Sequence, residues 1–262
     1  MPVPPAMRRA QILERLQREG GVSLTELARE LGVSAVTIHR DVTQLAEQGQ
    51  VERVYGGVVA TSSNGDAPAI PPTGWEQRTA QAGPAKRAIA AYAARQVLPG
   101  ATIFLDSSST CLALARELVA GSVSGLTLVT NSPAIAYELV DDRIVVVAVP
   151  GELDQHMRMF AGRWTTDFMA GLNFDVAFVS AAGLTLDAGL TTSRRPLADV
   201  INTARANAER TVALIDSTKF GRASLLTIAG AQDFDTVITD AELDAGVAAE
   251  FRAAGVLLEV AG

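Results

Sequence analysis

Three serines and a threonine follow an apolar run in the stretch FLDSSST at residues 104–110. The run ends at Asp106 and helical spacing begins at about Ser109, so the hydroxyls lie between a predicted strand and a predicted helix. The N-terminus of a helix offers free N–H groups and a partial positive charge, which together favour an anion. The stretch therefore predicts a site for a phosphate or a carboxylate.

Polar residues also end three other strand-like runs, in the stretches TLVTNS, VSAAG and LIDSTKFG. The carboxyl ends of neighbouring parallel strands meet at one edge of an open sheet, where such sheets bind ligands. Lys219 is one of only two lysines among 22 basic residues, which favours a specific use for its compact charge. The predicted ligand-binding residues are Asp106, Ser107, Ser108, Ser109, Thr110, Thr130, Asn131, Asp216, Thr218 and Lys219.

Simpler roles fit the same residues. A serine or threonine before a helix is often an N-cap, which contributes about 1 kcal/mol, and Ser109 fits that role equally well. The sequence Asn131–Ser132–Pro133 also fits an ordinary turn with a cap, and Asp106 and Asp216 could serve only to fix their loops. The ligand interpretation depends on several polar strand ends occurring in one fold.

A second group of candidate residues lies near the N-terminus, where three helices are predicted. Met7, Ala10, Leu13 and Leu16 predict the buried face of the first, and Ser34 caps the third. The stretch LTELARELGVSAVTIHRDVTQL at 24–45 is typical of a helix-turn-helix, and VERVYGGVVA predicts a hairpin that resembles a wing. The predicted DNA-binding residues are Ser34, Ala35, Val36, Thr37, His39, Arg40, Arg53 and Tyr55.

Alternatives remain for this group as well. Val36 could pack on a thymine methyl or in the core, and His39 could be exposed without touching a base. The helix pair could instead serve protein contacts or dimerisation.

Composition excludes several classes of protein. The net charge is −7, yet residues 1–60 carry seven arginines and seven acids, so the acidity lies in the rest of the chain. A neutral small domain can bind DNA when its arginines share a face. A single cysteine, Cys111, and two distant histidines argue against disulfides and a zinc site, so no metal or cofactor is expected. We expect a cytoplasmic protein, because there is no export signal and no apolar run of about 20 residues.

The chain divides into parts of different composition. Residues 1–60 predict the winged helix-turn-helix, the Pro- and Gly-rich 61–75 a linker, and 76–262 an effector-sensing domain. Strand-like runs alternate with helical runs after residue 84, which predicts an α/β domain with a mostly parallel sheet. The predicted strands are 101–105, 126–130, 143–149, 175–180, 211–215, 236–239 and 256–260.

The motifs resemble those of the DeoR family of regulators. Residues 22–59 are similar to its winged helix, with TIHRDV where the family reads TIRRDL, so His39 replaces an arginine. Five motifs in order, KRAIAAYAA, TIFLDSSST, TLVTNS, GLTT and DSTKFG, resemble its sensor domain, which is similar in fold to ribose-5-phosphate isomerase. The departures from the family pattern are Ser108 for glycine, Pro150 for glycine, and Ile201 and Asn202 for a Lys-Arg pair that Arg194 and Arg195 could replace.

The resemblance implies a transcriptional regulator, in the first place a repressor of a carbohydrate-use operon. Its partners would be double-stranded operator DNA, a phosphorylated sugar and further copies of itself in a dimer or tetramer. One alternative is an activator with a non-sugar effector, and another is a sugar-phosphate isomerase whose N-terminal part mediates assembly. The isomerase is disfavoured because Ala181 and Ala182 stand in the turn where such an enzyme places its carboxylates.

Overall fold

The computed structural model describes residues 4–19, 21–47, 50–54, 57–60, 75, 78–79, 81–155 and 157–262. These residues form two compact units, one within residues 1–73 and the other within residues 74–262. The predicted linker lies outside the described residues except for its last residue, Trp75, which is buried in the apolar core of the second unit.

The first unit combines helices with a small antiparallel sheet. Strand β3 lies between β1 and β2 and pairs with both, so the predicted hairpin forms. Leu27, Ile38, Val42 and Val58 belong to the apolar core that joins the helices to this sheet. The elements are α1 (Pro5–Glu19), β1 (Gly21–Ser23), α2 (Leu24–Glu30), α3 (Ala35–Glu47), β2 (Val51–Val54) and β3 (Gly57–Ala60).

A buried ion pair fixes α1 against α3. Arg8 Nε donates to Asp41 Oδ2, and both side chains are less than a tenth exposed. Ile12 and Leu16 follow Arg8 at four-residue spacing and are fully buried, whereas Met7 and Ala10 are exposed. The predicted buried face of α1 was therefore wrong at its first two positions, because the helix turns Arg8 towards Asp41.

The second unit is built on a sheet with strand order β15-β14-β12-β9-β4-β5-β6, and each neighbouring pair is parallel. This confirms the predicted α/β class. The strands of the unit are β4 (Thr102–Leu105), β5 (Leu126–Thr130), β6 (Ile144–Ala148), β7 (Glu152–Asp154), β8 (Met159–Ala161), β9 (Phe174–Val179), β10 (Gly183–Thr185), β11 (Gly189–Thr192), β12 (Ala208–Leu214), β13 (Leu226–Ala229), β14 (Thr236–Asp240) and β15 (Leu258–Ala261). The helices are α4 (Gly83–Ala94), α5 (Ser109–Ala120), α6 (Pro133–Glu138), α7 (Arg163–Met169), α8 (Arg195–Ala206) and α9 (Ala245–Ala253).

The strand order reverses between β4 and β9. From β4 the chain proceeds outward through β5 and β6, then returns to β9 on the other side of β4 and continues to β15. Phe104 belongs to one apolar layer and its neighbours Ile103 and Leu105 to the other, so β4 is covered on both faces. Such a reversal opens a crevice at the carboxyl ends of the two central strands.

Two short antiparallel elements were not predicted. Strands β7 and β8 form a hairpin, and β11 pairs with both β10 and β13. Gly189 at the start of β11 has φ +68°, and a Cβ there would lie 2.1 Å from the carbonyl oxygen of Ala229, so this position requires glycine. Within the described ranges, no helix has the length and apolar character needed to cross a membrane.

The Arg8–Asp41 pair yields a stability prediction. Asp41→Ala leaves the buried Arg8 guanidinium without its carboxylate, and breaking such a pair costs about 3 kcal/mol. We expect backbone amides of α3 to exchange with deuterium about a hundredfold faster in Asp41→Ala, measured by mass spectrometry on the full chain. Glu14→Ala, on the exposed side of α1, is the matched control and should exchange like wild type. Equal protection in both variants would contradict the anchoring role.

Candidate functional site

Asp106 spans the crevice between β4 and β9. One carboxylate oxygen accepts the N–H of Ser108 and the other the N–H of Ser180, each at 2.8 Å. The side chain is fully buried, and burial raises the pKa of its carboxyl while these hydrogen bonds oppose the rise. Asp106 thus fixes the loop that it begins, which is the simpler of the two roles considered for it.

Within that loop the hydroxyls have different tasks. Ser108 is the N-cap of α5, because its Oγ accepts the N–H of Cys111 at 3.0 Å. Ser109 is not the cap: its Oγ donates to the carbonyl of Arg78 at 3.1 Å. Ser107 Oγ and Thr110 Oγ1 are buried and have no hydrogen-bond partner among the described residues. Buried polar atoms are nearly always paired, so these two hydroxyls have hydrogen-bonding capacity that a ligand or water can use.

The next strand end contributes another unpartnered atom. Asn131 Nδ2 donates to the carbonyl of Phe160 at 3.0 Å, which leaves the carboxamide oxygen pointing elsewhere. That oxygen is buried and also has no partner in the part of the chain that the structure describes. Because it can only accept, its complement must carry a donor such as a hydroxyl. The Thr130 hydroxyl, in contrast, already bonds to Leu105 and Ser132.

Lys219 reaches the crevice from the short turn Ser217–Lys219. Its Nζ donates to Ser180 Oγ at 3.2 Å and lies 3.5 Å from Asp216 Oδ2. Asp216 also accepts a hydrogen bond from Thr218 Oγ1, so these two residues position the lysine. The turn is held from the neighbouring strand by Asp240, whose oxygens accept Ser217 N at 2.7 Å and Ser217 Oγ at 2.8 Å. Sequence reasoning missed Asp240.

Two further cations that were not predicted as site residues belong to this region. Lys86 Nζ donates to the carbonyls of Arg78 and Gln81, the latter at 2.6 Å. Burial, and then the charge of Lys219, lowers the pKa of Lys86 to about 8. Burial also lowers the pKa of Arg78. The negative charges of Asp106 and Asp154 oppose this lowering, and the positive charge of Arg194 adds to it. The scarcity of lysine that singled out Lys219 applied equally to Lys86.

The departures from the family pattern have local explanations. Ile201 is fully buried in an apolar layer, and Asn202 accepts a hydrogen bond from Arg205 at 3.3 Å. Arg195 pairs with Asp199 on the surface. The charge of Arg194, which is also exposed, contributes to lowering the pKa of Arg78. The carbonyl of Pro150 accepts a bond from Thr165, and a Cβ on Gly151 would lie 2.0 Å from that hydroxyl.

The candidate nucleic-acid interface is the outer face of α3. Ser34 caps this helix, since its Oγ accepts the N–H of Thr37 at 3.2 Å. Val36 is 78% exposed and so does not pack in the core; His39 and Arg40 are exposed as well. Ala35 begins α3, and Arg53 lies in β2 opposite Val58. Tyr55, which is also predicted to touch DNA, lies outside the described residues.

Both units are similar to known protein families. A family described as the DeoR-like helix-turn-helix domain matches residues 8–64, and the DeoR C-terminal sensor domain matches residues 81–241. The HTH-type transcriptional regulator GlpR of Haloferax volcanii is 33% identical over 96% of both chains. The glycerol-3-phosphate regulon repressor of Escherichia coli K12 is 31% identical over 88% of both, and the HTH-type transcriptional regulator IolR of Bacillus subtilis is 31% identical over 91% of this chain and 92% of its own. Among solved structures, ribose 5-phosphate isomerase from Plasmodium falciparum aligns with 52% of each chain at a TM-score of 0.38 and 14% identity.

The pKa of Lys86 yields a pH prediction. With a pKa of about 8, the ammonium is mostly charged at pH 7 and mostly neutral at pH 9, and a bound anion favours the charged form. We expect sulfate, whose charge is constant over this range, to bind several-fold more tightly at pH 7 than at pH 9. The measurement is the thermal shift against sulfate concentration at constant ionic strength. Lys86→Met should lose the pH dependence; the same dependence in that variant would show that another group is responsible.

Proposed function

We propose that this chain, which belongs to the DeoR family of transcriptional regulators, represses a carbohydrate-use operon and releases it when a phosphorylated sugar binds the crevice between β4 and β9. The observation that carries the proposal is a set of buried atoms that have no hydrogen-bond partner among the described residues: Ser107 Oγ and Thr110 Oγ1 after β4, and Asn131 Oδ1 after the neighbouring β5. Lys219 Nζ donates to Ser180 Oγ after β9, and Lys86 Nζ donates to the Arg78 carbonyl that Ser109 also contacts.

The polar groups of the crevice fit the two halves of such a ligand. The N-terminus of α5, the hydroxyls of Ser107 and Thr110, and Lys219 with Lys86 supply donors and positive charge for a phosphate. The oxygen of Asn131 requires a donor, which a sugar hydroxyl supplies and a fully ionised anion such as sulfate does not. A phosphorylated polyol or sugar therefore satisfies an atom that sulfate leaves unpaired. The relative from Escherichia coli that is named for the glycerol-3-phosphate regulon supports this ligand class.

The first unit supports operator binding. The exposed side chains of Val36, His39 and Arg40 lie on one face of a helix whose opposite face is anchored in the core. We infer that this face enters the major groove, that the wing contacts the adjacent backbone, and that the protein acts as a dimer or tetramer in the cytoplasm.

An isomerase reaction is the less favoured function. Such a reaction needs a carboxylate that is free to accept a proton from the sugar carbon. Both oxygens of Asp106 are hydrogen-bonded to backbone N–H groups, and Asp216 is bonded to Thr218 and lies close to Lys219. The turn after β9 carries Ala181 and Ala182 instead of acids. The crevice therefore supports recognition of a sugar phosphate without its conversion.

A ligand panel tests the effector. We expect one phosphorylated sugar or polyol to raise the melting temperature by several degrees, because a ligand at a hundred times its dissociation constant adds about 2.7 kcal/mol. The panel includes glycerol 3-phosphate, sugar phosphates, the free sugars and inorganic phosphate. Thr110→Val is the sharpest variant, since removing an unpartnered hydroxyl should leave the ligand-free melting temperature unchanged or higher while reducing the shift. No shift with any organic phosphate would contradict the proposed ligand class.

An arginine substitution tests the DNA interface. Arg40→Ala should weaken operator binding at least about tenfold and lower the slope of log affinity against log salt by about one, because one phosphate is no longer neutralised. The DNA is the site that the wild-type protein selects from a random-sequence pool, and binding is measured by fluorescence anisotropy. Arg163→Ala removes another exposed arginine, from α7, and should bind like wild type. Unchanged DNA affinity in Arg40→Ala would count against the interface.

A further inference from the structure

The backbone carbonyl of Arg78 connects the crevice to the chain that precedes it. Two donors from the described residues bond to this carbonyl, Ser109 Oγ at 3.1 Å and Lys86 Nζ. Lys86 also holds the carbonyl of Gln81, while the guanidinium of Arg78 donates to the carbonyl of Met157 at 3.3 Å. Arg78 is therefore held by the loop that follows β4, by α4 and by the turn between β7 and β8.

The segment that contains Arg78 leads to the DNA-binding unit through residues 61–74. Trp75 is buried, Thr79 Oγ1 donates to its carbonyl at 2.9 Å, and the Arg78 guanidinium carbon lies 5.6 Å from the centre of its ring. Trp75, Arg78 and Thr79 are thus tied to one another as well as to the crevice.

The two donors respond differently to an anion in the crevice. An ammonium has three protons, so Lys86 can keep both of its carbonyl partners and give its third proton to an anion. The hydroxyl of Ser109 has one proton, which serves either the carbonyl of Arg78 or an anion bound at the N-terminus of α5. Among the hydrogen bonds to this carbonyl, the one from Ser109 is therefore the bond that an anion in the crevice displaces.

We propose that Ser109 is the residue that reports ligand binding to the DNA-binding unit, by withdrawing its hydrogen bond from the Arg78 carbonyl when a phosphate is bound. This inference rests on the proposed function, since it requires an anionic effector that weakens operator binding. Ser109 is a positioning residue for the segment 78–82 in the ligand-free protein. The ligand-free state, with Arg78 held by two donors, is the state that binds DNA. A ligand shifts the population because it binds the state without this bond more tightly.

Removing the hydroxyl should imitate the ligand. We expect full-length Ser109→Ala to bind the selected operator DNA about tenfold more weakly than wild type with no ligand present, a change typical of allosteric coupling. Backbone amides in the range 78–82 should also exchange faster with deuterium. Ser109→Thr keeps the hydroxyl and should restore both properties. Ser109→Cys, which replaces a strong donor with a weak one, should change both in the same direction as alanine and serves if the alanine variant fails to fold.

The controls separate this inference from its premise. Ser124→Ala makes the same substitution in the loop before β5, at the opposite edge of the sheet, and should bind DNA like wild type. A serine that only contacts the ligand would leave ligand-free DNA affinity unchanged in Ser109→Ala, and that result would overturn the inference. A wild-type protein that selects no DNA would overturn the proposed function itself, which is a distinguishable failure.

Discussion

The carboxylate of Asp106 accepts N–H groups from both sides of the strand reversal, so the ends of β4 and β9 keep a fixed separation. The same arrangement recurs elsewhere at the sheet edges. Asp240 at the end of β14 holds Ser217 after β12, and Asp235 before β14 holds Thr211 of β12. Each of these carboxylates accepts an N–H from the neighbouring strand or from the turn that follows it, and so links two strands of the sheet. Burial raises the pKa of Asp106, so keeping this carboxylate ionised in the crevice costs some stability.

Hydrogen bonds within the protein shape the loops at the crevice. Ser108 caps α5, and the Thr130 hydroxyl joins β5 to the end of β4. Ser107, Thr110 and Asn131 are buried in the same loops and carry polar atoms without a hydrogen-bond partner among the described residues. A ligand that pairs these atoms does not have to order the loop first. Its binding therefore avoids the entropy cost of ordering that loop.

Much of the fold could be predicted from the sequence. Buried parallel strands appear as continuous apolar runs, and the helices between them appear as apolar residues at helical spacing. The strands β7, β8 and β10 are only three residues long and carry no usable periodicity. The loop between β4 and α5 forms where the sequence predicts it, but the choice of cap between Ser108 and Ser109 depends on a one-residue difference in where the helix begins. Arg78 acts partly through its backbone carbonyl, which no side-chain pattern can reveal. The face of α1 was misjudged since Arg8 is a charged residue in a buried position.

Different side chains of α3 anchor the helix in the core and form its exposed face. Asp41, Ile38 and Val42 face inward and tie the helix to the rest of the first unit, whereas Val36, His39 and Arg40 face outward. The outward positions can change without disturbing the packing of the core. His39, which stands where the family pattern has arginine, is a change of this kind. Duplicated genes for such a regulator can therefore diverge at the exposed positions of this helix while the core that holds it stays the same. A few substitutions on one helix face can then change which promoters a regulator controls.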